Sequence, residues 1–231
     1  MLLETLTASA LATAPIPPKA PATLRQISSA PTPKVDKTRA ALIIIDAQGE
    51  YAHGPLKLDG LSPALAEIVR LRAWAAAAGV PVIHVRHEGR PGRSTFVPGS
   101  PAAAFLREAT PAAGETVVVK HLPNAFAETN LQDVLKRTGR DQLIITGFMT
   151  HMCVDATTRA ALDLGYQNFV IAGATADRAL AGPDGEPVPS AIVVRSTLAA
   201  LGDLFAVIVP DAAALVASSA TPPAPLKPPR S

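Results

Sequence analysis

One short run, Ala41-Leu-Ile-Ile-Ile45, constrains the fold more than any other stretch of this chain, and it stops at a carboxylate, Asp46. A strand with one wet face alternates apolar and polar residues. A run without alternation belongs to a strand covered on both faces, which is the habit of a parallel sheet held between helical layers. Such a strand needs parallel neighbours and helical crossovers, and the rest of the chain supplies them in alternation. Strands are predicted at Ala41–Asp46, Val80–Arg86, Thr116–Lys120, Leu143–Thr146, Phe169–Ala172 and Phe205–Val209. Helices are predicted over Leu61–Gly79, Asn130–Thr138, from Cys153 to Gly165 and over Pro189–Leu201, three of them bounded by a glycine stop. The order predicts an α/β fold: one three-layer αβα domain with a six-stranded, mostly parallel, doubly wound sheet.

Composition agrees. The 231 residues are 48% hydrophobic but only 4% aromatic, which suits aliphatic strands covered by Ala-rich helices. A net charge of +2, spread over scattered Arg and Lys, gives no footprint for nucleic acid or an anionic membrane. No apolar stretch is long enough to span a bilayer. One cysteine excludes an internal disulfide framework and fits a reducing compartment, so the expected location is the cytoplasm. The Ala-rich start lacks the positive charge that opens a secretion signal, since Glu4 is its only early charge. Residues 1–36 are read as an N-terminal extension, Pro-rich and without regular helix from Pro15 to Pro33, serving as a linker or as an arm across a neighbouring subunit. The main α/β domain is drawn at 37–212, and 213–231 is read as a Pro-rich tail.

In open α/β sheets the ligand crevice lies outside the carboxyl ends of the strands, where strand order reverses. Here those ends carry Asp46, Arg86 and His87, Lys120 and, just past the fourth strand, Cys153. Each has a plain structural alternative: Asp46 could cap a loop, Lys120 could snorkel to solvent, and a lone cysteine is often a small buried hydrophobe. Together they make chemical sense. A thiol at a helix start sits near unpaired backbone N–H groups that favour a thiolate or an oxyanion, and its activation needs a proton acceptor and a positive charge.

Three segments then carry a family likeness: Ala41–Gln48, Val119–Leu131 and Ile145–Thr157. In this order and spacing they resemble the isochorismatase-like cysteine hydrolases, among them nicotinamidases, N-carbamoylsarcosine, biuret and ureidoacrylate amidohydrolases, and isochorismatase itself. The likeness runs from about Lys37 to Val209. It implies that Cys153 is the nucleophile on an amide-type carbonyl, passing through a thioester, that Asp46 is the general base and that Lys120 supports both. It also implies a cis peptide at Phe148–Met149 and an oxyanion hole made by the backbone N–H groups of Met149 and Cys153.

Departures from the family sharpen the expectation. Isochorismatase proper lacks the cysteine, so vinyl-ether cleavage is not expected. Nicotinamidases hold a metal through an Asp-x-His and a further His after the second strand; here His84 should point into the sheet, leaving His87 and Glu88 isolated. The expectation is therefore no metal and no cofactor. Substrate contacts are expected from Gln48, Tyr51, His87, Asn124, Phe126, Phe148 and Thr150, with loop packing the competing role for Tyr51 and for His151. Asp155 is read as a first-turn carboxylate, Arg159 as a surface or interface residue and Trp74 as packing. The implied partners are a small amide, carbamoyl compound or lactam and further copies of the chain, as a dimer or tetramer. A silent scaffold or small-molecule binder on the same fold is the alternative.

Overall fold

The computed structural model describes residues 20–219. Its strands are β1 (Ala40–Ile45), β2 (Val82–His87), β3 (Thr116–Lys120), β4 (Gln142–Phe148), β5 (Gln167–Ala176), a small hairpin β6 (Leu180–Ala181) and β7 (Pro187–Val188), and β8 (Val207–Val209). Its helices are α1 (Leu24–Ile27), α2 (Glu50–His53), α3 (Leu61–Ala78), α4 (Leu131–Thr138), α5 (Asp155–Asp163), α6 (Ser190–Asp203) and α7 (Ala212–Ser219). The main sheet runs β3-β2-β1-β4-β5-β8 with every neighbouring pair parallel. The chain winds outward from β1 through β2 to β3, then returns to β4 on the other side of β1. The reversal between β1 and β4 opens the crevice there.

Every residue of β1 is buried, as the unbroken apolar run requires. Successive side chains leave on opposite faces. Leu42 and Ile44 join Leu65, Ile68, Leu71 and Ala75 of α3 and Leu215 of α7. Ala41, Ile43 and Ile45 join Leu131, Val134 and Leu135 of α4, Ala161 of α5 and Leu201 of α6. Two apolar cores on one sheet make the three layers, and truncating one of these leucines to alanine costs about 2–5 kcal/mol. Trp74 is partly buried against the first core, in the packing role expected of it.

Two terminal readings need correction. The Pro15–Pro33 stretch was expected to lack regular helix, yet Leu24–Ile27 makes one turn. Its capping box supplies the reason: Thr23 Oγ1 accepts from Gln26 N while Gln26 Oε1 accepts from Thr23 N. The turn lies on its own chain, where Leu24 N donates to Asp203 Oδ1 and Arg25 to Leu204 O. At the other end α7 continues past the boundary drawn at 212, because Asp211 Oδ1 caps Ala214 N and the segment is Ala-rich until its prolines begin. The remainder of the extension and tail readings falls on residues 1–19 and 220–231, outside the described residues.

Candidate active site

Asp46 is the first residue past β1, and its backbone turns into the left-handed region at φ 50°. A non-glycine residue rarely sits there without a reason in its surroundings. Beside it, β4 bulges at Gly147, whose φ is +106° and whose position would put a Cβ 2.0 Å from Ile45 O. Only glycine lets β4 pass this close to β1. The chain then crosses the cis Phe148–Met149 bond and coils through a π-helical turn, Thr150–Val154, before α5 begins. Cys153 therefore sits on a wide turn ahead of α5 rather than on a regular first helical turn. Such turns recur at functional sites because they re-aim one side chain.

These elements bring Asp46, Lys120 and Cys153 together. Lys120 Nζ lies 2.7 Å from Asp46 Oδ2 and donates to Cys153 Sγ at 3.2 Å, with both Asp46 and Lys120 fully buried and Cys153 5% exposed. The Asp46 contact is an ion pair rather than a well-angled hydrogen bond, and Asp46 Oδ1 has no partner among the described residues. Burial pushes the Asp46 carboxyl above its ordinary range, with the Lys120 ammonium opposing. Burial works against the Lys120 charge, but Asp46 and Cys153 outweigh it, and the ammonium titrates higher than usual. The Cys153 thiol goes to about 12, through burial first and the Asp46 charge second, against the pull of Lys120. The resting site thus holds a neutral thiol, a carboxylate raised toward accepting a proton and a firm cation.

His87 is not isolated, contrary to expectation. Parallel register places it opposite Lys120, and Lys120 Nζ lies 2.9 Å from His87 Nδ1. Burial first, then the charges of Lys120 and His121, lowers its pKa to about 4. Its ring packs on Phe96 with centroids 4.8 Å apart. Phe96 lies in the Gly-, Pro- and Arg-rich loop after β2, yet this side chain is 6% exposed and meets Tyr51 at 5.4 Å. Its N–H donates to the buried Glu50 carboxylate at 3.0 Å, which pins the loop down. His84 does point inward, where Glu115 meets it at 2.8 Å.

The other residues expected at the substrate fall into two groups. Gln48 spends its amide on backbone, accepting from His87 N at 2.8 Å and donating to His87 O and Ala103 O. Thr150 Oγ1 donates to Ala176 O, Asn124 Oδ1 accepts from Phe126 N, and Phe126 stacks on Tyr166. These four hold loops in place. Tyr51 and Phe148 are buried edge to face, 5.8 Å apart, and the charges of Asp46 and Cys153 join burial in raising the Tyr51 phenol well above its ordinary value. Arg159 is held in place by Asp155, with its guanidinium 4.2 Å over Phe205.

Sequence reasoning missed Asp177. It is fully buried just past β5, accepts His151 N at 2.9 Å and Arg178 N at 3.0 Å, and lies 2.8 Å from His151 Nδ1. It thereby ties the start of the Cys153 turn to the neighbouring strand. A carboxylate one residue past a strand end, as at Asp46, was the available signal. As for a metal, donor atoms of Asp46, His87 and Cys153 lie within 4.8 Å of one another. The Lys120 ammonium, however, stands against all three, so a dication would have to displace it.

A family model, the isochorismatase domain, matches residues 40–184. A crystal structure of an isochorismatase from Pseudomonas putida KT2440 is 41% identical, with TM-score 0.80, covering 84% of this chain and 99% of that one. A secreted isochorismatase effector of Verticillium dahliae is 36% identical over 185 residues, 80% of this chain and 95% of the relative. A streptothricin hydrolase of Streptomyces noursei is 33% identical over 198 residues, 85% of this chain and 78% of the relative. With its sheet order, its strand-end residues and this match across both, the chain belongs to the isochorismatase family of hydrolases.

Proposed function

We propose that this enzyme hydrolyses an amide-type C–N bond of a small substrate through a covalent thioester on Cys153. The observation that carries the reading is the single buried ammonium of Lys120 held against both Asp46 and Cys153. Cys153 Sγ attacks the carbonyl carbon as its proton passes to Asp46, whose Oδ1 has no hydrogen-bond partner among the described residues. The backbone N–H groups of Met149 and Cys153 receive the developing oxyanion, worth roughly 3 kcal/mol per donor. The C–N bond breaks as Asp46 returns the proton to the leaving nitrogen. Water then attacks the thioester as its proton passes to Asp46; the C–S bond breaks, Asp46 returns the proton to the Cys153 sulfur, and the acid is released. The relative whose name is streptothricin hydrolase supports an amide-type substrate.

Tyr51, Phe148 and His87 line the approach in this reading, while Gln48, Asn124, Phe126 and Thr150 act by holding its walls. The single thiol supports a reducing, cytoplasmic setting, and no helix among the described residues is long and apolar enough to cross a membrane. Exposed Leu164 and Ile192 support self-association. Screening small amides for ammonia or amine release, with intact-mass detection of an acyl adduct, tests the reaction. The adduct should map to Cys153; turnover that survives Cys153→Ala would overturn the reading.

A further inference from the structure

The Lys120 ammonium has three hydrogens and three neighbours: Asp46 Oδ2 at 2.7 Å, His87 Nδ1 at 2.9 Å and Cys153 Sγ at 3.2 Å. The proposed reaction uses the first and third and gives the His87 Nδ1 contact no role. Yet His87 is held firmly in place. Its backbone is clamped at N and O by the buried Gln48 amide, its strand register sets it opposite Lys120, and Phe96 packs on its ring. An ammonium can only donate, so this contact is a hydrogen bond only if Nδ1 is bare and the imidazole proton sits on Nε2.

We propose that His87 is a positioning residue, whose bare Nδ1 accepts from the Lys120 ammonium and holds it between Asp46 and Cys153. The inference rests on the reading of Asp46, Lys120 and Cys153 given above. Without this acceptor one N–H of a fully buried cation would lack a partner, and the ammonium would drift from the thiol it must support. Burial and the positive neighbours keep the ring neutral and able to accept. The arrangement also fixes what His87 offers a ligand. Nε2–H has no acceptor among the described residues, so it is a donor for a substrate oxygen.

Two isosteric variants isolate the acceptor. His87→Leu and His87→Asn are equal in size, but only asparagine carries an oxygen near the Nδ1 position. The readout is the alkylation rate of Cys153 by iodoacetamide at neutral pH, with thermal melting as a check on folding. His87→Leu should react about ten- to a hundredfold more slowly than His87→Asn, as expected for loss of a hydrogen bond to a charged group. Equal rates would overturn the proposal. Should either variant fail to fold, nitrogen-15 NMR of the wild-type chain decides: the Nε2–H tautomer supports the proposal, and an Nδ1–H tautomer or an imidazolium at neutral pH ends it. Turnover surviving Cys153→Ala would defeat the proposed reaction instead, and would leave the tautomer result standing.

Discussion

Asp46 Oδ2 and Lys120 Nζ lie 2.7 Å apart at the ends of two strands that are not neighbours, and neither side chain is exposed. Strand β2 lies between their strands, so the ion pair spans the sheet above His87. A buried pair is costly to form and costlier to break, because the surviving charge is left without compensation. Asp46→Asn and Lys120→Met should each lose about 3–5 kcal/mol in denaturant unfolding and abolish turnover. The double variant should recover much of the stability and none of the activity. Additive losses in the double-mutant cycle would mean that the two charges do not sense each other.

The same contact shows what was legible in the sequence. Strand and helix positions followed from apolar runs and glycine stops, because burial on both faces writes a continuous pattern into β1 and β4. Asp46, Lys120 and Cys153 were legible because each breaks or ends such a pattern at a strand's carboxyl end. The walls of the site were not. Phe96 lies in a run of Gly, Pro and Arg, and partners elsewhere in sequence, the Glu50 carboxylate on its N–H and the Tyr51 and His87 rings, draw it inward. Asp177 looks like an ordinary loop polar residue, and Gln48 like a substrate contact, until tertiary structure supplies their backbone partners. The helical pattern around Cys153 was visible, but the wide turn that carries it depends on the Gly147 bulge and the chain path after it.

Gly147→Ala tests that dependence. The substitution meets two penalties, a φ of +106° and a Cβ 2.0 Å from Ile45 O, which is backbone and cannot step aside. A loss of more than about 2 kcal/mol is expected in chemical denaturation. Ile45 adjoins Asp46 and Gly147 leads into the Cys153 turn, so any protein that folds should also show slowed alkylation of Cys153. Wild-type stability in this variant would contradict the close strand approach.

The high Cys153 pKa has two consequences. Folded, the thiol ionises near about 12, against 9.0 for the ordinary group. Its alkylation rate should climb about tenfold per pH unit through and beyond pH 9 without levelling, since only thiolate reacts. The folded chain holds this proton more tightly than the unfolded chain, so the contribution to stability is fully present below about pH 9 and is lost as pH rises toward about 12. The stability difference between wild type and Cys153→Ser should therefore shrink across that window. A labelling curve that levels near 8.5 would show an ordinary exposed thiol instead.

Asp177 offers the sharpest separation of geometry from chemistry. It touches none of the three proposed reacting side chains, yet its carboxylate accepts the His151 and Arg178 N–H groups and pairs with His151 Nδ1, all beside the turn that carries Cys153. Asp177→Asn keeps its size but replaces one acceptor oxygen with a donor that faces N–H groups. The expected cost is about 1–3 kcal/mol in unfolding. Alkylation of Cys153 should slow, because the thiol loses its fixed approach to Lys120 while Asp46 and Lys120 stay in place. Differential hydrogen exchange should then show faster exchange at Thr150–Val154 and unchanged exchange in β1. If β1 exchanges faster to the same degree, Asp177 supports the whole sheet and not the nucleophile turn.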